Sequence, residues 1–310
     1  MQTRRKFLKI AGASTALLGV GGLTLSSFDE KKTKKITILH TNDTHSRLEP
    51  FADNHPRFPG MGGMAKRAKL VQDIRKQEDN VLLVDAGDIF QGTPYFNFYK
   101  GELNFKLMSM LKYDVATIGN HDLDNGMDSL AEHLKYADFP FVNCNYDLTK
   151  TSLNGKVEPY KIFEMSGIKI GVLGIGIEME GLVDPHNFRG AVYRDPIEYA
   201  NKYAKILKEE KACDLVVMLS HLGYKFEGDK VSDIVVADNS ENIDVIIGGH
   251  THTFMTEPDV RKNKVGEDIL VTQAGFAGIN LGRLDFYFNE EEETTVASSE
   301  FIEVGGGVVG

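Results

Sequence analysis

Cysteine is scarce. Cys144 and Cys213 are the only two in 310 residues, and their spacing is not that of metal ligands. Cys144 ends one apolar run and Cys213 begins another, so both read as buried free thiols rather than a disulfide framework. Positive charge is also short, with 35 Lys and Arg against 45 Asp and Glu and a net charge of −10. A pI near 5.4 excludes a protein that grips nucleic-acid backbones through a basic face. It does not exclude an anionic substrate, because bound divalent ions reverse the local field. Glycine-rich stretches such as Gly171–Gly176 match neither a dinucleotide fingerprint nor a phosphate loop.

What is present begins with an export signal. Thr3-Arg4-Arg5-Lys6-Phe7-Leu8-Lys9 is a twin-arginine pattern, followed by an apolar stretch Ile10–Leu25 and then Ser26 and Ser27. The stretch is short for a membrane span and rich in glycine, so residues 1–27 read as a cleaved twin-arginine signal and the mature protein as periplasmic. No cysteine follows it, which argues against a lipid anchor, and no membrane span is expected after its removal. Losing Arg4, Arg5, Lys6 and Lys9 takes the charge from −10 to −14.

Residues 28–35 form a Lys-rich linker. From Ile36 to Phe288, short apolar runs alternate with helix-period segments, without a repeat or an internal linker, and this reads as one domain. The runs are Ile36–Leu39, Val81–Val84, Val115–Ile118, Phe139–Val142, Lys169–Ile175, Leu215–Leu219, Val245–Ile247 and Ile269–Val271. The helical segments are Met64–Lys76, Leu103–Leu111, Met127–Tyr136, Ile197–Glu210 and Val231–Val236. Continuous apolar strands imply α/β sheets covered by helices, with Tyr160–Met165 and Gly282–Phe288 looking antiparallel. Residues 289–310, opening on the acidic run Glu290–Glu293, read as a partly disordered extension.

Five of the apolar runs end in metal-ligand side chains: Asp43-Thr-His45, Gly87-Asp88, Gly119-Asn120-His121-Asp122, Ser220-His221 and Gly249-His250-Thr251-His252. Strand ends are where open α/β sheets place their crevices. In an extended segment Asp43 and His45 leave on the same side, as do His250 and His252. A sensible division puts Asp43, His45, Asp88 and His252 on one ion, and Asp88, Asn120, His221 and His250 on a second, with Asp88 bridging. Mixed nitrogen and oxygen ligands without thiolate suit two divalent ions, whether zinc, manganese, iron or cobalt. Two such ions side by side point to hydrolysis of a phosphate ester. His40, inside a strand, reads as a satisfied core or supporting residue; His55, His133 and His186 read as surface or loop residues.

In order and local sequence, these five segments resemble the calcineurin-like metallophosphoesterases. Leu39-His-Thr-Asn-Asp-Thr-His45, Asp85-Ala-Gly-Asp-Ile-Phe-Gln-Gly92 and Gln273-Ala-Gly275 look like the 5′-nucleotidase branch. The resemblance runs from about Ile36 to about Phe288. It implies a four-layer α/β/β/α sandwich of two mixed sheets with a dinuclear site at the strand ends, and a phosphoester substrate, most naturally a nucleotide. It also implies that His121 lies beside the scissile phosphate as proton donor and that Asp124 orients it; capping the helix over Met127–Tyr136 is the structural alternative for Asp124. Asp122 and Leu123 stand where the branch commonly carries Glu and an aromatic, a departure expected to alter packing rather than chemistry.

Full-length members carry a C-terminal domain that clamps the nucleoside, and nothing in these residues resembles it. A separate chain carrying that domain is one expectation; independent action on varied phosphoesters is the other. Hydrolysis of a cyclic nucleotide, UDP-sugar or sulfur ester is a further alternative, and a metal- or phosphate-binding protein without turnover is another. The His121–Asp124 pair weighs against a pure binder.

Overall fold

Apolar residues facing both ways along the central strands set the architecture. The computed structural model describes residues 6–7, 11–12, 33–228, 230–289 and 294–305. The first half contains β1 (Thr33–Thr41), α1 (Met64–Gln77), β2 (Val81–Asp85), α2 (Pro94–Tyr99), α3 (Glu102–Met110), β3 (Val115–Ala116), α4 (Gly126–His133), β4 (Phe141–Val142) and β5 (Val157–Glu158). The second contains β6 (Tyr160–Met165), β7 (Ile168–Ile175), α5 (Pro196–Lys205), β8 (Leu215–Ser220), α6 (Asp233–Asp238), β9 (Val245–Gly248), β10 (Asp259–Lys262), β11 (Asp268–Thr272), β12 (Asn280–Asn289) and β13 (Thr294–Glu303).

Two mixed sheets result. The first runs β13-β12-β1-β2-β3-β4-β5, parallel from β1 to β5 and antiparallel at β12 and β13. The second runs β10-β11-β9-β8-β7-β6, with a parallel centre and antiparallel edges. Side chains alternate between faces. Along β1 and β2, Ile38, Leu82 and Val84 meet Val172, Val217 and Ile247 of the other sheet. Leu39 and Leu83 face the opposite way, onto Val71 of α1, Phe105 of α3 and Leu130 of α4. In β8, Leu215, Val217 and Leu219 point between the sheets, whereas Val216 and Met218 pack under Ala200 and Ala204 of α5 and Val236 of α6. Helices, sheet, sheet and helices therefore form the four layers expected, and all five ligand-bearing loops leave the carboxyl ends of parallel strands.

Two boundaries differ from expectation. The first strand opens at Thr33, inside the expected linker: Lys35 is neutralised by Glu78 at 2.6 Å and Asp285 at 3.2 Å, so a polar strand end is tolerated. Within the expected tail, Thr294–Glu303 form strand β13, paired along β12 from Asn289↔Thr294 to Asn280↔Glu303. The acidic run Glu290–Glu293 lies outside the described residues. Beyond β13, Val304 is buried, with its N–H donated to Ile279 O (2.7 Å) and its carbonyl accepting from Gly62 N (2.7 Å). Helix α2, with proline in its first turn, was not legible as a helix. Residues 1–5, 8–10 and 13–32 lie outside the described residues, and with them most of the export signal and linker; Lys6–Phe7 and Ala11–Gly12 pair in parallel with β13. Among the described residues no helix is long and apolar enough to cross a membrane. Both cysteines are buried free thiols.

Candidate metal centre

The loops beyond the strand ends are not extended, contrary to the reading of the Asp-x-His and His-x-His pairs. Asp43, His45, Asp88, His250 and His252 all have left-handed backbones, with φ between 48° and 70°. Each such residue costs about 1–3 kcal/mol and persists only where its surroundings fix it. Here the surroundings do. Asp43 N donates to Gly87 O (2.9 Å), His45 N to Asp88 O (3.0 Å) and Ser46 N to Ile89 O (2.8 Å), so the first two loops run alongside each other. At Gly87, itself at φ 90°, a Cβ would lie 2.6 Å from Gly119 N, which brings the third loop against the second.

Three buried side chains to which the sequence reading gave no role at the site, Asp122 being noted only as a departure from the family pattern, tie these loops down. Asp122 accepts from the backbone N–H groups of Asp88 (3.0 Å), Ile89 (2.9 Å), Phe90 (3.1 Å) and Gly119 (2.8 Å). Asn42 donates to Asp43 Oδ2 and to Gly275 O, both at 2.6 Å, and accepts from Ala274 N. Gln273 donates to Gly249 O (2.5 Å) and accepts from Thr253 N and Thr251 Oγ1, spanning the His250–His252 loop. Their only signal in the sequence was membership of the quoted motifs.

The expected ligands converge as two groups: Asp43, His45 and His252, and Asp88, His221 and His250. Asp88 Oδ2 lies 3.0 Å from His221 Nε2 and 3.9 Å from His45 Nε2, between the two. Asp43 Oδ1 is 3.4 Å from His252 Nε2 and 3.9 Å from His45 Nε2. Asn120 Oδ1 is 2.8 Å from His250 Nδ1, which places it with the second group.

The donor set fits cations. His221 Nδ1 faces Ala86 O at 2.7 Å and His45 Nδ1 faces Phe90 O at 3.2 Å. Those carbonyls hold the Nδ1–H tautomer and leave each Nε2 lone pair facing inward, the arrangement of a metal-ligating histidine. Nε2 of His45 then stands 2.9 Å from Nε2 of His252, and among the described residues the buried Nε2 of His221 makes no well-formed hydrogen bond. Lone pairs and carboxylates converging on two points call for positive charge.

The electrostatics agree. Burial lowers His45, and burial with the charge of His221 lowers His250 to about 4. Burial works against protonated His221 too, but Asp88 and Asp43 outweigh it and raise the ring to about 10; a proton there occupies the place of a cation. Burial likewise opposes the Asp88 carboxylate, and His221, His45 and His121 overcome it to hold the group below its usual range. Burial and the Asp88 charge push Asp122 up to about 7 against its backbone donors.

His121 stands apart from both groups. Its Nδ1 lies 2.8 Å from Asp124 Oδ2, and its backbone N donates to Asp88 Oδ1 at 2.8 Å. The Asp124 hydrogen bond raises the pKa of His121, with Asp88 adding to it. Asp124 does not cap the next helix, whose N-cap is Asn125 without a side-chain bond. His40 is buried as expected, but neither ring nitrogen has a partner among the described residues, so it is not the satisfied residue anticipated.

A two-sheet sandwich carrying paired carboxylate–imidazole groups at its strand ends defines a metallophosphoesterase. Residues 36–254 match the calcineurin-like phosphoesterase family, and the chain belongs to it. It is 33% identical over 285 residues to the snake venom 5′-nucleotidase of Naja atra, covering 85% of this chain and 52% of that protein. The crystal structure of a 5′-nucleotidase precursor from Thermus thermophilus superposes with a TM-score of 0.79 at 32% identity, over 87% of this chain and 55% of that one. The calcineurin-like phosphoesterase YfkN from Bacillus subtilis matches at a TM-score of 0.72 and 26% identity, over 90% of this chain and 93% of that one. The chain spans about half the length of the curated 5′-nucleotidases it matches.

Proposed function

We propose that this protein hydrolyses phosphate monoesters, with 5′-nucleotides as its substrates, and that it works outside the cytoplasm after twin-arginine export. The observation that carries the reading is the pair of ligand groups meeting at Asp88 with the His121–Asp124 couple beside them. Asp43, His45 and His252, and Asp88, Asn120, His221 and His250, would hold divalent ions, which would supply positive charge for the phosphoryl oxygens and lower the pKa of a bound water. Zinc, manganese, iron and cobalt all suit the nitrogen and oxygen donors.

The chain's own residues do the rest. Asp43, fixed by Asn42 and by His250 N at 2.9–3.0 Å, and Asp88, placed between the groups, keep the site anionic enough to hold cations beside a phosphate. His121 remains protonated to higher pH than a free imidazole, so it can donate to a phosphoryl oxygen or to the departing alkoxide. Asp124 aims that ring through Nδ1 and leaves Nε2 to face substrate.

The test is hydrolysis of AMP, UDP-glucose, 2′,3′-cyclic AMP and p-nitrophenyl phosphate by purified protein loaded with manganese or zinc. AMP turnover that stops on chelation and returns with metal is the expected result. Turnover of none of the four would overturn the reading. Export is checked by fractionating cells that carry Arg4→Lys with Arg5→Lys, which should retain the protein in the cytoplasm.

A further inference from the structure

The segment that leaves β7 of the second sheet reaches the His121–Asp124 couple, which follows β3 of the first. Its two ends are closed on one residue. Asn145 accepts from Gly176 N (2.8 Å) and donates to Gly176 O (2.9 Å), while its carbonyl accepts from Arg194 N (2.8 Å). Beside it, Tyr146–Asp147 pairs antiparallel with Val192–Tyr193. Between these ends Met179 and Val183 are buried, and Phe188 packs with them onto the core that contains Leu123 and Met127. Backbone pairing at the base and apolar contacts along its length hold the segment in place.

Asn187 lies in the short turn Pro185–Phe188, which Asp184 starts by accepting from His186 N through its side chain (2.8 Å) and from Asn187 N through its carbonyl (2.8 Å). The side chain of Asn187 is turned toward the couple: its Nδ2 donates to Asp124 O at 2.8 Å. Gly126, at φ 86°, lets the amide come this close, since a Cβ there would stand 3.3 Å from Asn187 Oδ1. Asp124 is thus gripped at both ends of its backbone. Its N–H donates to His121 O at 3.2 Å, its carbonyl accepts from Asn187, and its carboxylate lies 2.8 Å from His121 Nδ1.

We infer that Asn187 is a positioning residue for the His121–Asp124 couple, acting through the Asp124 carbonyl and not on the substrate. The inference rests on the phosphoesterase reading above. Without the amide, the peptide after Asp124 is free to turn its carbonyl toward water, and the carboxylate moves with it. The imidazole it aims then loses its direction, and a misplacement of about 1 Å costs a catalytic group about 100-fold in rate. The step that suffers is proton donation. The alkoxide that departs from AMP needs the proton, whereas p-nitrophenolate leaves without one. Asn187 bonds to none of the metal ligands among the described residues, so metal content should not change.

The full chain loaded with zinc tests this in two ways. In Asn187→Ala, kcat for AMP should fall about 10- to 100-fold with KM and metal content unchanged, and kcat for p-nitrophenyl phosphate should fall much less. Asn187→Asp keeps the size and removes the donor, and should lose at least as much. In an Asp124→Asn background, Asn187→Ala should add nothing further. The second readout needs no turnover: the nitrogen NMR shift of His121 Nδ1, read through the carbon-bound ring protons, should move in Asn187→Ala toward its value in Asp124→Asn. An unmoved shift would overturn the inference, as would wild-type kcat in Asn187→Asp, equal falls for the two esters or an undiminished effect in the Asp124→Asn background. A wild-type protein that hydrolyses neither ester, but whose His121 shift moves in Asn187→Ala, would sink the phosphoesterase reading and leave Asn187 assigned as the residue that sets the couple.

Discussion

Asp122→Asn isolates the cost of holding the central ligand loop. Asp122 Oδ1 accepts from Ile89 N and Phe90 N, and Oδ2 accepts from Asp88 N and Gly119 N, all between 2.8 and 3.1 Å. Asparagine keeps one acceptor oxygen, and whichever way the amide turns, its NH₂ faces two backbone donors. Each buried N–H left without a partner costs about 1–3 kcal/mol, so two cost about 2–6 kcal/mol. A domain has a total stability of about 5–15 kcal/mol, so the loss should be large and visible. It should also reach the metals: disturbing the partners of a ligand lowers affinity about 10- to 100-fold. Urea denaturation of the chelated protein gives the first quantity, and competition with a metal chelator gives the second. Asp122→Ala should be worse than Asp122→Asn, since it removes all four acceptor contacts. An asparagine variant within about 0.5 kcal/mol of wild type and with unchanged metal affinity would refute this accounting.

Other outcomes follow from the same geometry. Burial holds His40 down to about 3, against 6.5 when free, so the unfolded chain binds the proton more tightly between those values; stability is full above about pH 6.5 and is lost as pH falls toward 3. At pH 5 the deficit is about 2 kcal/mol, 1.5 pH units at about 1.4 kcal/mol each, and His40→Phe should remove it in denaturation curves recorded at pH 7 and pH 5. Asp124→Asn takes away the main cause of the raised His121 pKa, so the alkaline limb of the kcat profile should move to lower pH while metal content stays at the wild-type level; an unmoved limb would exclude His121 as the titrating donor. In Gly119→Ala the new methyl would overlap Asp88 N and Oδ1, so elemental analysis should find metal lost from a protein that still folds.

Much of the site was legible because ligand chemistry is written in rare residue types. Histidine at a strand end has few other uses, and four such ends with Asp88 at a fifth, in order, left little room for coincidence. The layers were legible for a related reason: Leu215 to Leu219 are apolar on both faces, as only a doubly covered strand requires. The supporting residues were hidden by their ordinariness. Asn42, Asp122 and Gln273 are polar residues of a kind that turns use freely, and only burial shows that their side chains bond inward. The backbone of the ligand pairs was misread because spacing in sequence carries no φ. Strand β13 was missed because Glu290–Glu293 precedes a run of small and polar residues, Thr294 to Ser299, whose pairing comes from β12 rather than from its own hydrophobicity.

Each ligand group draws on both sheets. Asp43 and His45 follow β1 and meet His252, which follows β9; Asp88 follows β2 and meets His221 and His250, which follow β8 and β9. An ion in either group is thus a rivet through the seam between the sheets, at the one edge where the interdigitated core gives way to solvent. Sliding one sheet over the other by a single pleat would part both groups at once. The register of the sandwich and the spacing of the ions are one mechanical quantity, and a substitution deep between the sheets that altered either would be felt at the catalytic edge.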